Sequence, residues 1–119
     1  MKPIVKSSTN IDDVKYFLSI FKLHKSYLLL LSDQEEMGIG TVSLGTPPLI
    51  EGIKPTNASY ALFGVDKKIL TTIITERATT VLKAPVLSLL FLKSKKEEDD
   101  IAKDLVNFLN ENLLKIAEE

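Results

Sequence analysis

Residues 59 to 117 alternate strand, helix, strand and helix with only a few turn residues between them, and this order confines the chain to a sheet with helices packed against it. An N-cap at Asp66 opens the first helix, which runs through Lys83. Ile69, Leu70, Ile73, Ile74, Ala78, Val81 and Leu82 are spaced along it as one apolar stripe. Thr71, Thr72, Thr75, Thr79 and Thr80 are poor helix formers, so packing on the sheet must hold this helix. Ala84-Pro85 stops it. Val86 to Leu92 follows as a nearly continuous apolar strand and, with a short strand over Ser59 to Gly64, predicts a right-handed parallel crossover. The last helix starts near Ser94, opens on Glu97-Glu98-Asp99-Asp100, which suits the positive end of a helix dipole, and buries Ile101, Leu105, Phe108, Leu109, Leu113 and Ile116.

The first half has the period of strands. Val14, Tyr16, Leu18 and Ile20 fall on one face, while Lys15, Phe17, Ser19 and Phe21 fall on the other, so both faces are partly apolar. Tyr27 to Leu31 is an unbroken apolar run that suits a central strand. A turn over Asp33 to Gly38 reverses the chain into Ile39 to Leu44, and the three segments predict an antiparallel meander. Residues 2 to 8 offer a further edge strand, although Pro3 and the polar run Ser7 to Asn10 speak against it. The fold expected is α+β: a single antiparallel-to-mixed sheet of five or six strands with two helices on one face, in the order β-β-β-β-β-α-β-α. At 119 residues this makes one domain, 1–119, with a core that requires no metal or disulfide.

Two helices on one face leave the other face of the sheet apolar and uncovered. Sheet-to-sheet dimerisation is the simplest cover, with Tyr16, Leu18, Ile20, Leu28, Leu30 and Val42 as its expected face; a strongly curled sheet that covers itself is the alternative. Residues 45 to 57 form the one long irregular segment, rich in Pro and Gly yet carrying Leu49, Ile50 and Ile53. These side chains either fold back on the sheet or, with Pro48 and Lys54, form a loop that meets a partner.

Little in the chain carries chemistry. A net charge of −1 gives no handle for nucleic acid or an acidic membrane surface, and no apolar run is long enough to span a bilayer. Zero cysteines remove thiolate nucleophiles, thiolate zinc sites and disulfides together. With no apolar signal core at the N-terminus, the expected location is the cytoplasm. His24, the only histidine, sits in a Lys-flanked turn without an orienting partner. Gly38-Ile39-Gly40 lacks the following helix that a phosphate loop needs. Asp12-Asp13, Glu35-Glu36 and Glu97 to Asp100 lack the alternating ligand spacing of a calcium loop. Lys93, Lys95 and Lys96 lie beside that last acidic turn, which neutralises them. The residues therefore predict a protein that binds proteins, with no catalytic residue, cofactor or metal.

Three stretches then resemble a known family. Asp13 to Phe21, Ser26 to Ser32 and Met37 to Ser43 are similar to the hairpin and Gly-bearing third strand of the small proteasome assembly chaperones, the third member of the eukaryotic set above all. Leu62-Phe63-Gly64, the run Lys83 to Lys93 and the closing Leu-rich helix resemble that family's second half. Residues 47 to 55 match nothing in it. The resemblance implies a non-enzymatic chaperone that dimerises, with itself or with a similar small partner, and holds α-type subunits during assembly of the 20S proteasome ring. It also implies sheets facing each other with helices outside. Larger assembly chaperones enter α-ring pockets with a hydrophobic-Tyr-X tail; the residues here are Ile116-Ala117-Glu118-Glu119, which suits binding through a folded surface. A small dimeric scaffold or adaptor of a signalling or trafficking complex shares every one of these features except the partner.

Overall fold

The computed structural model describes residues 2–47, 56–61, 68–94 and 97–117. In chain order these form β1 (Val5–Ile11), β2 (Val14–Leu23), β3 (Ser26–Ser32), β4 (Thr41–Thr46), β5 (Thr56–Ala61), α1 (Lys68–Leu82), β6 (Val86–Phe91) and α2 (Glu98–Ala117). The element order is the expected one, in an α+β fold with one mixed six-stranded sheet. Asp66 and residues 62–64 of the expected fifth strand lie outside the described residues.

β1 runs further than its composition suggests. The Asp12-Asp13 turn takes φ of 49° and 68°, with Ile11 opposite Val14. Two successive positive φ values make the primed turn whose twist matches a hairpin, and Asp tolerates that region better than most residues. Ser7 to Asn10 are therefore held in the ladder by pairing with Lys15 to Leu18 rather than by their own propensity.

The strand order is β1-β2-β3-β6-β4-β5, which corrects the expected meander. β6 inserts between β3 and β4, parallel to the first and antiparallel to the second. Tyr27 to Leu31 and Val86 to Phe91 are the two most continuously apolar strands, and pairing them places both at the centre of the sheet. β4, built on Thr, Ser and Gly, is displaced outward. β5 pairs with β4, so β5 and β6 run parallel with β4 lying between them rather than as neighbours.

To reach β4 from β3, residues 33–40 must arch over the end of β6. A Cβ on Gly40 would collide with the Leu90 carbonyl oxygen, and one on Gly38 would lie 2.8 Å from the Phe91 ring, so the arch is close because neither residue has a side chain. Asp33 pins its start. Its carboxylate accepts the backbone N–H of Lys93 at 2.9 Å and of Ser94 at 2.7 Å, and its own N–H donates to the Phe91 carbonyl at 3.3 Å. Burial pushes the Asp33 pKa up, but the N–H groups of Lys93 and Ser94, with the side chains of Gln34 and Ser94, outweigh it and hold the group below its ordinary value.

Both helices cover one face, where a single apolar core forms. α2 buries Ile101, Leu105, Phe108, Leu109 and Leu113 as its periodicity predicts, with Ile116 packed at the edge. α1 departs from its predicted stripe. Leu70, Ile74 and Ala78 are inside, with Val81 and Leu82 partly so, but Ile69 and Ile73 are exposed, and Thr71, Thr75 and Thr79 are completely buried. The Thr75 and Thr79 hydroxyls donate to the carbonyls of Thr71 and Thr75, each at 2.7 Å, so burying them leaves neither without a partner. Thr41, Ser43 and Ser88 are buried on the sheet that α1 packs against, so that side of the core is built from small, polar-capable side chains. The Ser88 hydroxyl is buried with no hydrogen bond.

Three measurements follow from this packing. Gly40→Ala should lower stability by more than about 2 kcal/mol in denaturant unfolding, because the clash is with backbone, whereas Gly38→Ala should cost less, because an aromatic ring can turn. Ser88→Ala should leave stability unchanged or raise it by about 1 kcal/mol, since it removes a buried orphan hydroxyl. The stability lost in Asp33→Asn should be fully present at neutral pH, above the unfolded carboxylate pKa of 3.8, and should vanish as pH falls through the depressed folded value.

Candidate interaction face

Strand alternation sends every second side chain to the face without helices. Across the sheet this face presents Phe17, Ser19 and Phe21 from β2, Leu28 and Leu30 from β3, Leu87, Leu89 and Phe91 from β6, and Val42 and Leu44 from β4. The register brings them into contact rows: Phe21 beside Leu28 beside Leu87, and Ser19 beside Leu30 beside Leu89 beside Val42. Leu44 is 48% exposed and the other apolar side chains are half-buried.

The expected dimer face divides here. Leu28, Leu30 and Val42 lie on the open face, but Tyr16, Leu18 and Ile20 are 0, 1 and 0% exposed beneath the helices. Both faces of β2 are apolar, so its period alone does not choose between them. A signal was nonetheless present: Lys15 and Ser19 interrupt the Phe17 and Phe21 set, whereas Tyr16, Leu18 and Ile20 are uninterrupted and belong to the core. Phe17, Phe21, Leu44, Leu87, Leu89 and Phe91 lie on the open face although they were not among the six residues expected for the dimer face. The expected partner loop, Pro48, Leu49, Ile50, Ile53 and Lys54, lies outside the described residues.

Polar groups border the patch at one end and on its β1 side. Lys15 Nζ sits 5.3 Å from the centre of the Phe17 ring and Lys93 Nζ 5.3 Å from that of Phe91, so a cation covers each aromatic at this end of the sheet. The arch, through Gly38, closes against the same Phe91 ring. Toward β1 the face dips into a recess of about 490 Å³ lined by Lys6, Ser8, Phe17, Ser19 and Glu35. An apolar centre inside a charged margin is the anatomy of a protein-binding surface.

Residues that invite other chemistry are placed elsewhere. His24 is exposed on the β2–β3 turn, where its carbonyl accepts the Ser26 hydroxyl at 3.0 Å. Gly38 and Gly40 serve the arch and lead into a strand, not a helix. Among the described residues, no three His, Cys, Asp or Glu side chains gather as a metal site, and no helix is long and apolar enough to cross a membrane.

The arrangement defines a class: an α+β protein whose mixed sheet is covered by helices on one face and apolar on the other. No protein-family model matches the sequence, and no curated protein matches it. A solved structure does share the fold. It is a chain in the crystal structure of a novel chaperone complex for yeast 20S proteasome assembly, matched with a TM-score of 0.62 over 95% of this chain and 94% of that one, at 8% identity. The likeness is one of fold and extends over nearly the full length of both chains.

Opposite substitutions separate face from core. Leu30→Asp or Leu89→Asp should leave circular dichroism intact and change thermal stability by less than about 1 kcal/mol in the monomer, whereas Leu18→Ala should cost about 3 kcal/mol through the cavity it opens.

Proposed function

We propose that this protein is a non-enzymatic assembly chaperone of the cytoplasm that dimerises through its open sheet face and binds α-type subunits while the 20S proteasome ring is built. The observation that carries this reading is the apolar face itself, contiguous across four strands, rimmed by Lys15 and Lys93 and without a helix among the described residues to cover it. A second sheet laid on it, from another copy or a similar small protein, would bury Phe17, Leu28, Leu30, Leu87 and Leu89 at the centre of a sandwich. The shared fold with a chain of a yeast proteasome-assembly complex supports the chaperone role, and so does the resemblance of residues 13 to 43 to small assembly chaperones. Loop residues Pro48 to Lys54 are the proposed contact with the α-subunit, because they depart most from the family pattern.

Size-exclusion chromatography with light scattering tests the proposal, using the protein alone and mixed with purified proteasome α-subunits. The expected result is a dimer that co-elutes with α-subunits, and a monomer for Leu30→Asp. A wild-type monomer would overturn the sheet-face dimer; a dimer that ignores α-subunits would leave a scaffold of some other complex.

A further inference from the structure

The outer side of β1 is a second surface, adjoining the open face at Lys6. β1 is the edge of the sheet, seven residues long and free of proline and glycine, and alternate backbone N–H and C=O groups of such a strand point away from its one neighbour. No other described element lies beyond it. α2 runs antiparallel alongside, and two recesses lie end to end between them, about 260 Å³ near Ile4 and Ile116 and about 350 Å³ near Asp12 and Asp104. The side chains of β1 that face α2 explain the gap: Val5 and Ile11 are buried, but Ser7 and Thr9 between them are only half-buried and too short to reach the helix.

The charges along this groove are segregated. Lys6 and Lys115 line the Ile4 end, whereas Asp12, Asp104 and Glu111 line the other, all exposed. A free strand edge beside a helix, with a lengthwise groove and opposite charges at its ends, has the elements of strand-addition recognition.

We propose that this groove takes an extended segment of a partner protein as an added antiparallel strand next to β1. Matching β1, the segment spans about seven residues, or about 20 Å. A basic side chain at its N-terminal end meets Asp12, Asp104 and Glu111, and an acidic one at its C-terminal end meets Lys115. Small or β-branched residues between them fill the recesses, and the backbone supplies the hydrogen bonds. Charge fixes the direction, and with it the register.

The test is amide-resolved NMR on the ¹⁵N-labelled full chain, titrated with the acetylated peptide Lys-Val-Thr-Val-Thr-Val-Glu and with its charge-swapped counterpart Glu-Val-Thr-Val-Thr-Val-Lys. The expected result is saturable shifts confined to β1 and the facing residues of α2, with the swapped peptide about five- to tenfold weaker. The double variant Asp104→Lys with Lys115→Glu changes only exposed side chains and, with Asp12, Glu111 and Lys6 left in place, should weaken that preference without inverting it. Shifts on the open sheet face instead, equal affinity for the two peptides, or no saturation at millimolar peptide would each overturn the proposal. So would peptide-free shifts of β1 that grow with protein concentration, which would mean that a second copy occupies the edge. Failure of the sheet-face dimer is read separately, in the mass of the protein.

Discussion

The insertion of β6 between β3 and β4 is the interaction on which the rest of the structure depends. It joins the two most apolar strands by a parallel ladder from Tyr27–Val86 to Ser32–Phe91 and makes a single sheet from a hairpin unit at one side and β4 and β5 at the other. The chain accepts that order only because residues 33–40 can cross the end of β6. Gly40 lies where any side chain would strike the Leu90 carbonyl, and Asp33 ties the start of the crossing to Lys93 and Ser94 as the chain leaves β6. Parallel pairing requires a long connection, and here that need is met by everything between β3 and β6: the arch, β4, β5 and α1.

That order then decides which face receives the helices and what the other face is left to do. α1 lies against β4, β5 and β6, and its Thr71, Thr75 and Thr79 meet a side of the core that also holds Thr41, Ser43 and Ser88. α2 completes the layer over the β1 side. The central strands are apolar on both faces, so covering one leaves Leu28, Leu30, Leu87 and Leu89 on the other, where nothing in the described chain covers them. The protein-binding role proposed for the open face rests on this mismatch between two apolar faces and one helical layer.

Much of this was legible in the sequence. Element order, mixed sheet, two helices on one face and the stripe of α2 all follow from period and punctuation, because α2 is amphipathic and its buried and exposed residues separate cleanly. Strand order was not legible, since neighbours in a sheet are chosen by the burial of whole strands and the sequence pattern of β4 is equally compatible with lying beside β3. The inversion on α1, Thr inside and Ile69 and Ile73 outside, escapes any hydrophobicity rule because a threonine that bonds its own helix backbone can be buried cheaply. Half of the expected dimer face fell beneath the helices for the reason given by β2: a strand apolar on both sides shows that two faces are needed without saying which is which.

The claim that the open sheet face is covered by another protein is tested most directly by placing single cysteines in this cysteine-free chain, at Leu30 and Leu89 on the face and at Leu114, which is 57% exposed on α2. Reaction of each with a bulky water-soluble maleimide is then followed against protein concentration. The account predicts that Cys at 30 and 89 becomes protected as concentration rises and yields cross-linked dimer on oxidation, while Cys at 114 stays fully reactive. Equal reactivity at all three positions at every concentration, with no cross-linked dimer, would contradict it.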